Sequence, residues 1–222
     1  MTEDLTIGEH IVLLALDEKT GTLREAPLRV SLAVSAAALL ELGFSGHLTE
    51  RDGTFGIAGA SASASVDPAV AAMAGRVRNH PGETPRERLM AVREQALDAA
   101  YKGLVEKGLV RERKRGRRVL GGFGGFGSVR YPVTGVSELT ALRGELTAVL
   151  VRGQEPDERV AALITLLDHA GLRAVLPQDS GAEASEDRLN AIAEGHGAAA
   201  ALGDTIRTTI AALSLAIAST AL

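Results

Sequence analysis

PLRVSLAVSAAALLELGF, residues 27–44, decides the fold of this 222-residue chain. Only Arg29 and Glu41 interrupt it, and its apolar positions fall on every side of a helix rather than along one stripe. A helix of that kind is enclosed, either by lipid or by other helices. The two interruptions favour enclosure by protein, since a bilayer span needs about 20 predominantly apolar residues. The reading is a central helix over residues 28–44, stopped by Gly43 and Gly46, with the rest of the chain wrapped around it. Residues 208–222 give a second enclosed helix, because that stretch carries no charge yet falls short of a span.

Outward from this centre, local start and stop signals punctuate the chain. Residues 5–16 form a helix capped by Thr6 or Asp4, with Glu9 and His10 on its polar side, and 17–22 (DEKTGT) form a turn. Asp52-Gly53 marks a small hairpin within 47–57, and 59–66 read as a surface loop. Asp67-Pro68 and Thr84-Pro85 each open a helix by the same device, a capping side chain followed by proline in the first turn. The first of these helices runs to Asn79 and the second to Glu106, where Gly108 closes it. A basic run, a glycine-rich tip at 121–127 and a return strand at 129–133 then form a second hairpin. Helices over 137–151 and 155–170, a loop at 177–184, a glycine-weakened helix from Ser185 and a final helix capped by Asp204 complete the chain. The fold class is mainly α: one globular helical domain with a buried helical core, surrounding amphipathic helices and a protruding basic β-hairpin.

The chemistry available is narrow. Cysteine is absent, which removes disulfides, thiolate catalysis and cysteine-ligated metals. The histidines at 10, 47, 80, 169 and 196 share no metal-ligand spacing, and no GxSxG serine is present. Gly122 to Gly127 (GFGGFG) matches GxGxxG formally. It follows an arginine-rich strand and leads into another strand, which is not a dinucleotide context. No catalytic residue, metal or cofactor is therefore expected, and the chain reads as a non-enzyme. The opening MTEDLTIGEH is acidic where a secretory signal is basic, so the expected location is cytoplasmic.

Charge is where the sequence is most informative. The net charge is only −4, but residues 111–118 (RERKRGRR) carry six basic side chains against Glu112, a local +5 that leaves −9 for the rest. One basic patch on an acidic body points to an anionic partner met locally. The bland alternative is a solvated edge strand protected from aggregation by its charges. Two phenylalanines at the tip sharpen the first reading, since rings that enter a membrane interface beside arginines on headgroups make a contact device. The candidate lipid-binding set is Arg111, Arg113, Lys114, Arg115, Arg117, Arg118, Phe123, Phe126 and Arg130. The rings at 123 and 126 have a second possible use, packing against a second subunit in a homo-oligomeric scaffold. A winged-helix reading, with the hairpin as a phosphate-contacting wing, is opposed by Glu87, Glu94, Asp98 and Glu106 on the preceding helix, so no nucleic acid is expected.

LTIGEHIVLLALDEKTG (5–21), LLELGFSGHL (39–48), LVEKGLV (104–110), RYPV (130–133) and ALITLLDHAGLRAVL (162–176) together resemble the Golgi phosphoprotein 3 family, in order and over almost the whole chain. The Ala-, Gly- and Arg-rich usage points to a bacterial member. The resemblance implies one domain over 1–222 with its hairpin at 109–133. It also implies a non-enzymatic peripheral membrane adaptor that binds phosphatidylinositol 4-phosphate and protein cargo, here at the inner face of the membrane. The family's headgroup pocket uses one Trp and three Arg, and the matching positions here are Ala26, Ser35, Glu94 and Leu97. Arg24, Arg29 and Arg93 are the cations nearest to those positions in sequence.

Overall fold

The computed structural model describes residues 5–51, 54–57, 67–114, 129–177, 186–193 and 203–219. Helix α1 (Ile7–Ala15) begins at a capping box: Thr6 Oγ1 accepts the Glu9 N–H at 3.2 Å, and Glu9 Oε2 accepts the Thr6 N–H at 2.7 Å. The expected polar side of this helix does not exist. Glu9 and His10 are buried with the rest of α1, because later elements close over it from every direction. Helix α2 (Pro27–Phe44) has a mean hydropathy of 1.4 over 18 residues, enough by length and composition to cross a membrane. In this fold it is the hub instead, buried almost continuously from Val30 to Gly43. Gly43 stays helical, and the turn out comes at Ser45 and Gly46, the latter at φ +71°.

Strands β1 (Leu48–Arg51) and β2 (Thr54–Ile57) pair antiparallel, with Leu48 opposite Ile57 and Phe55 buried. The turn at Asp52-Gly53 and the loop at 59–66 lie outside the described residues. Helices α3 (Pro68–Asn79) and α4 (Pro85–Glu106) start at the two predicted caps. The Asp67 carboxylate accepts the Val70 N–H at 2.9 Å, and Thr84 forms a capping box with Glu87. Leu89, Val92, Ala96, Ala100 and Leu104 of α4 are buried as expected, with Leu97 half-buried against the core. Helices α1, α3, α4 and α8 all pack on α2, and α6 joins them.

The second hairpin is β3 (Arg113–Lys114) with β4 (Val129–Arg130), followed by α5 (Val136–Leu150) and α6 (Glu158–His169). The expected start of α6 at Glu155 moves inward because Asp157 is the cap, its carboxylate accepting the Val160 N–H at 2.8 Å. A single 3-10 turn at Arg173–Val175 precedes α7 (Glu186–Ala193) and α8 (Gly203–Ala218). Helix α8 begins ahead of Asp204, which therefore sits in its first turn and not at its cap. The expectation that 208–222 is enclosed holds for one face only. Ile210, Leu213 and Ala216 are buried, whereas Leu215 is 61% exposed, because α8 is laid onto α2, α4 and α6 from outside. The result is mainly helical, a body of helices around a buried helical centre with two small hairpins at its margin.

Candidate functional site

The basic hairpin leaves the body where α4 ends. Lys107 closes the helix, Gly108 turns the chain at φ +72°, and Leu109 and Val110 are buried. The Leu109 carbonyl accepts both the Thr134 and Gly135 N–H groups, at 2.8 and 3.0 Å, and Thr134 Oγ1 donates to the Gly108 carbonyl at 2.7 Å. Outgoing and returning strands are thus pinned together at the body. Val110 bridges Val133, the Arg111 N–H donates to the Pro132 carbonyl at 3.0 Å, Arg113 lies opposite Arg130, and Lys114 opposite Val129. Pro132 has no N–H to return, so the expected return strand over 129–133 is interrupted there.

The turn at 17–22 runs along the free edge of the returning strand. The Tyr131 N–H donates to the Gly21 carbonyl at 2.9 Å and the Val133 N–H to the Glu18 carbonyl at 3.1 Å. Gly21 has φ +66°, and a Cβ there would lie 2.1 Å from the Pro132 nitrogen, so no other residue fits without lifting the strand. Asp17 holds the turn by accepting the Thr20 N–H and hydroxyl, both at 2.8 Å, and these bonds keep its carboxyl below the ordinary range.

Alternation along the strands then sorts the side chains into two faces. Tyr131 and Glu112 take the side toward the body, where Tyr131 stacks on Tyr101 of α4 with ring centroids 4.2 Å apart and planes 19° from parallel. Burial pushes the Tyr101 hydroxyl up to about 12 and moves Tyr131 the same way. Arg111, Arg113 and Arg130 take the opposite side. Arg111 and Arg113 are exposed, while Arg130 is half-buried with its Nε sealed from solvent and without a hydrogen-bond acceptor. Among the described residues none of these three guanidinium groups meets a carboxylate. Several arginines of the body do: Arg76 pairs with Glu83, Arg143 with Glu18, Arg159 with Glu41 and Arg173 with Asp168. The structure therefore brings Arg111, Arg113 and Arg130 onto one uncompensated cationic face and places Lys114 at the next register position. Arg115, Arg117, Arg118, Phe123 and Phe126 lie outside the described residues.

The four positions that correspond to a headgroup pocket do not form a cationic cluster. Ala26 is the exposed residue ahead of α2, and Ser35 is fully buried, donating to the Leu89 carbonyl at 3.0 Å. Glu94 is exposed and paired with Arg93 at 3.0 Å, and Leu97 packs half-buried against the core. Of the other nearby cations, Arg24 and Arg29 are engaged elsewhere. Arg24 lies 3.8 Å from Asp17, and Arg29 donates to the Gly171 carbonyl at 3.3 Å.

Sequence reasoning missed Arg88, a fully buried guanidinium on α4. Its terminal nitrogens donate to the carbonyls of Phe55, His80 and Pro81 at 3.1–3.2 Å, clamping the first hairpin and the α3–α4 turn to α4. An arginine between Glu87 and Leu89 near the start of a helix carries no signal of such a role. Also missed was the Glu9–Lys107 pair, at 2.6 and 2.7 Å, which joins residues 98 positions apart. Among the described residues no group of three or more His, Asp or Glu side chains is arranged to hold a metal ion.

A family model described as Golgi phosphoprotein 3 (GPP34) matches residues 7–209, from the first residue of α1 into α8 and across the whole hairpin. No curated protein matches the chain.

Proposed function

The chain belongs to the Golgi phosphoprotein 3 family, and from that premise we propose that it is a non-enzymatic adaptor held on anionic membrane surfaces by its basic hairpin. The observation that carries this reading is the face formed by Arg111, Arg113 and Arg130, cations without a carboxylate among the described residues, whereas Arg76, Arg143, Arg159 and Arg173 of the body each pair with one. Each basic residue near an anionic leaflet contributes about 1 kcal/mol, so this face together with Lys114, Arg115, Arg117 and Arg118 supports reversible recruitment. Phe123 and Phe126, entering the interface, add about 1.5–3 kcal/mol each.

With Ala26, Ser35, Glu94 and Leu97 at the family's pocket positions, the contact proposed here is driven by charge and ring burial rather than by a dedicated inositol pocket. Its partners are anionic phospholipid headgroups on the cytoplasmic side of a membrane, with protein cargo carried by other surfaces. Vesicle flotation tests this. The parent is expected to float with vesicles of phosphatidylcholine and phosphatidylglycerol but not with phosphatidylcholine alone, and added salt should release it. Exchanging Arg113, Lys114, Arg115 and Arg117 together for Gln should abolish most binding. A variant that floats as well as the parent at low salt overturns the reading. Phe123→Ser with Phe126→Ser should weaken binding even at high salt. If that pair changes the sedimentation mass and leaves lipid binding intact, the tip is a subunit interface instead.

A further inference from the structure

We propose that Arg113 and Arg130 form a two-pronged clamp for a phosphomonoester dianion, an inference that rests on reading the hairpin as an anion contact. Register places the two residues directly opposite each other on adjacent strands. Side chains in such a pair leave the sheet on the same face with Cβ atoms about 5.5 Å apart, and like charges there repel. A counter-charge lying between the two would remove that repulsion. Arg130 supplies a second, independent sign: its Nε–H is sealed from water and has no acceptor, although a buried donor of this kind is ordinarily satisfied.

The frame around the pair is built to hold still. Tyr131, the neighbour of Arg130, is stacked on Tyr101 and bonded through its N–H to Gly21, so the returning strand cannot slide to relieve the repulsion. Among the described residues no carboxylate of the chain reaches either guanidinium.

The geometry selects the chemistry of the missing partner. A carboxylate has one charge and two oxygens in one plane, which satisfies one guanidinium fork and leaves the other unpaired. A terminal phosphate has two charges and three oxygens disposed tetrahedrally, which lets two forks approach from opposite sides. A phosphodiester offers only one charge and two free oxygens. The ligand is therefore a terminal phosphate, carried either by a lipid headgroup or by free phosphate. The site is on the hairpin and shares no residue with the positions Ala26, Ser35, Glu94 and Leu97.

Two measurements test this. In the first, parent protein is titrated with vesicles containing phosphatidic acid or phosphatidylglycerol at matched surface charge. The phosphomonoester lipid is expected to bind tighter by on the order of fivefold. Arg113→Lys and Arg130→Lys keep the charge but lose the fork, and each should bring the ratio near one. In the second, inorganic phosphate is added to the soluble protein while the arginine Nε–H resonances are followed. The Arg130 signal should shift and saturate with phosphate, and not with chloride or acetate at equal ionic strength. Equal binding to both vesicles together with no saturable shift overturns the clamp while leaving the membrane reading standing. A saturable shift with no vesicle binding supports the clamp for free phosphate and overturns the membrane reading. Neither vesicle binding nor a shift overturns both.

Discussion

At Gly103 the backbone of α4 passes so close to α1 that a Cβ would lie 2.1 Å from Glu9 Oε1. That oxygen is not free to move aside, because the Glu9 carboxylate is buried, accepts the Thr6 N–H and holds Lys107 at 2.6–2.7 Å. Two effects compete in Gly103→Ala. The intrinsic helix preference favours Ala by about 1 kcal/mol, whereas displacing a buried, paired carboxylate costs about 1–3 kcal/mol or more. The second is larger, so urea unfolding should show the variant destabilised despite its better helix former. His10, on the same helix, gives a pH signature. Burial holds it down to about 4 against an ordinary 6.5, a contact to the Thr6 backbone offsetting this only in part and the charges of Arg159 and Lys107 adding to it. The unfolded chain takes up this proton near 6.5 and the folded chain only near 4. Stability is therefore complete above about pH 6.5 and falls between 6.5 and 4, by roughly 3 kcal/mol for a shift of that size. In His10→Phe that slope should flatten, as measured by melting midpoints from pH 7 to 4.5.

Among the elements, the returning strand of the hairpin and helix α2 make the most exposed predictions. Gly21→Ala places a side chain at φ +66° against the Tyr131–Pro132 backbone, costing about 1–2 kcal/mol from the backbone alone. The chain has two tyrosines and no tryptophan, and both tyrosines belong to the stack between α4 and the hairpin base. Their absorbance titration therefore reports this contact without interference. In the parent both phenols should ionise above the usual 10, and in Gly21→Ala the transition should move back toward 10. On α2, Leu39 is fully buried, so Leu39→Asp should cost at least about 3 kcal/mol in thermal melting, an unpaired carboxylate having no solvent to reach. What the sequence made legible divides along the range of the interactions. The starts of α3 and α4 are local, written in Asp67-Pro68 and Thr84-Pro85, and the structure keeps them to the residue. The enclosure of α2 was legible because its apolar residues leave no side for water. The burial of Glu9 was not, since its partner Lys107 arrives from another helix, and neither was Arg88, whose acceptors are backbone carbonyls without a residue type to recognise. Of the candidate lipid contacts, the alternation that puts Arg111, Arg113 and Arg130 on one face depends on a register that spacing alone does not determine.

For the molecule as a whole, the decisive feature is the separation of charge: a +5 run at 111–118 on a chain whose remainder carries −9. An anionic surface repels that body and attracts only the hairpin, and screening within a Debye length of about 8 Å makes the attraction local. The molecule should therefore dock in one orientation. Helix α4 sets the scale of the difference, because the hairpin base stacks on Tyr101 near its C-terminal end while Arg86 at its N-terminal end donates to Ser219, one turn beyond Leu215 of α8. Fifteen helical positions separate Arg86 from Tyr101, about 22 Å at the α-helical rise. Because the chain has no cysteine, a single introduced thiol labels one site. Val129 and Leu215 are both exposed, on the hairpin and on α8 respectively. The direct measurement is the fluorescence of an environment-sensitive label on Val129→Cys and on Leu215→Cys as phosphatidylglycerol vesicles are added. A rise and blue shift at position 129 with no change at 215 is the predicted result, and the reverse pattern contradicts the hairpin as the membrane contact.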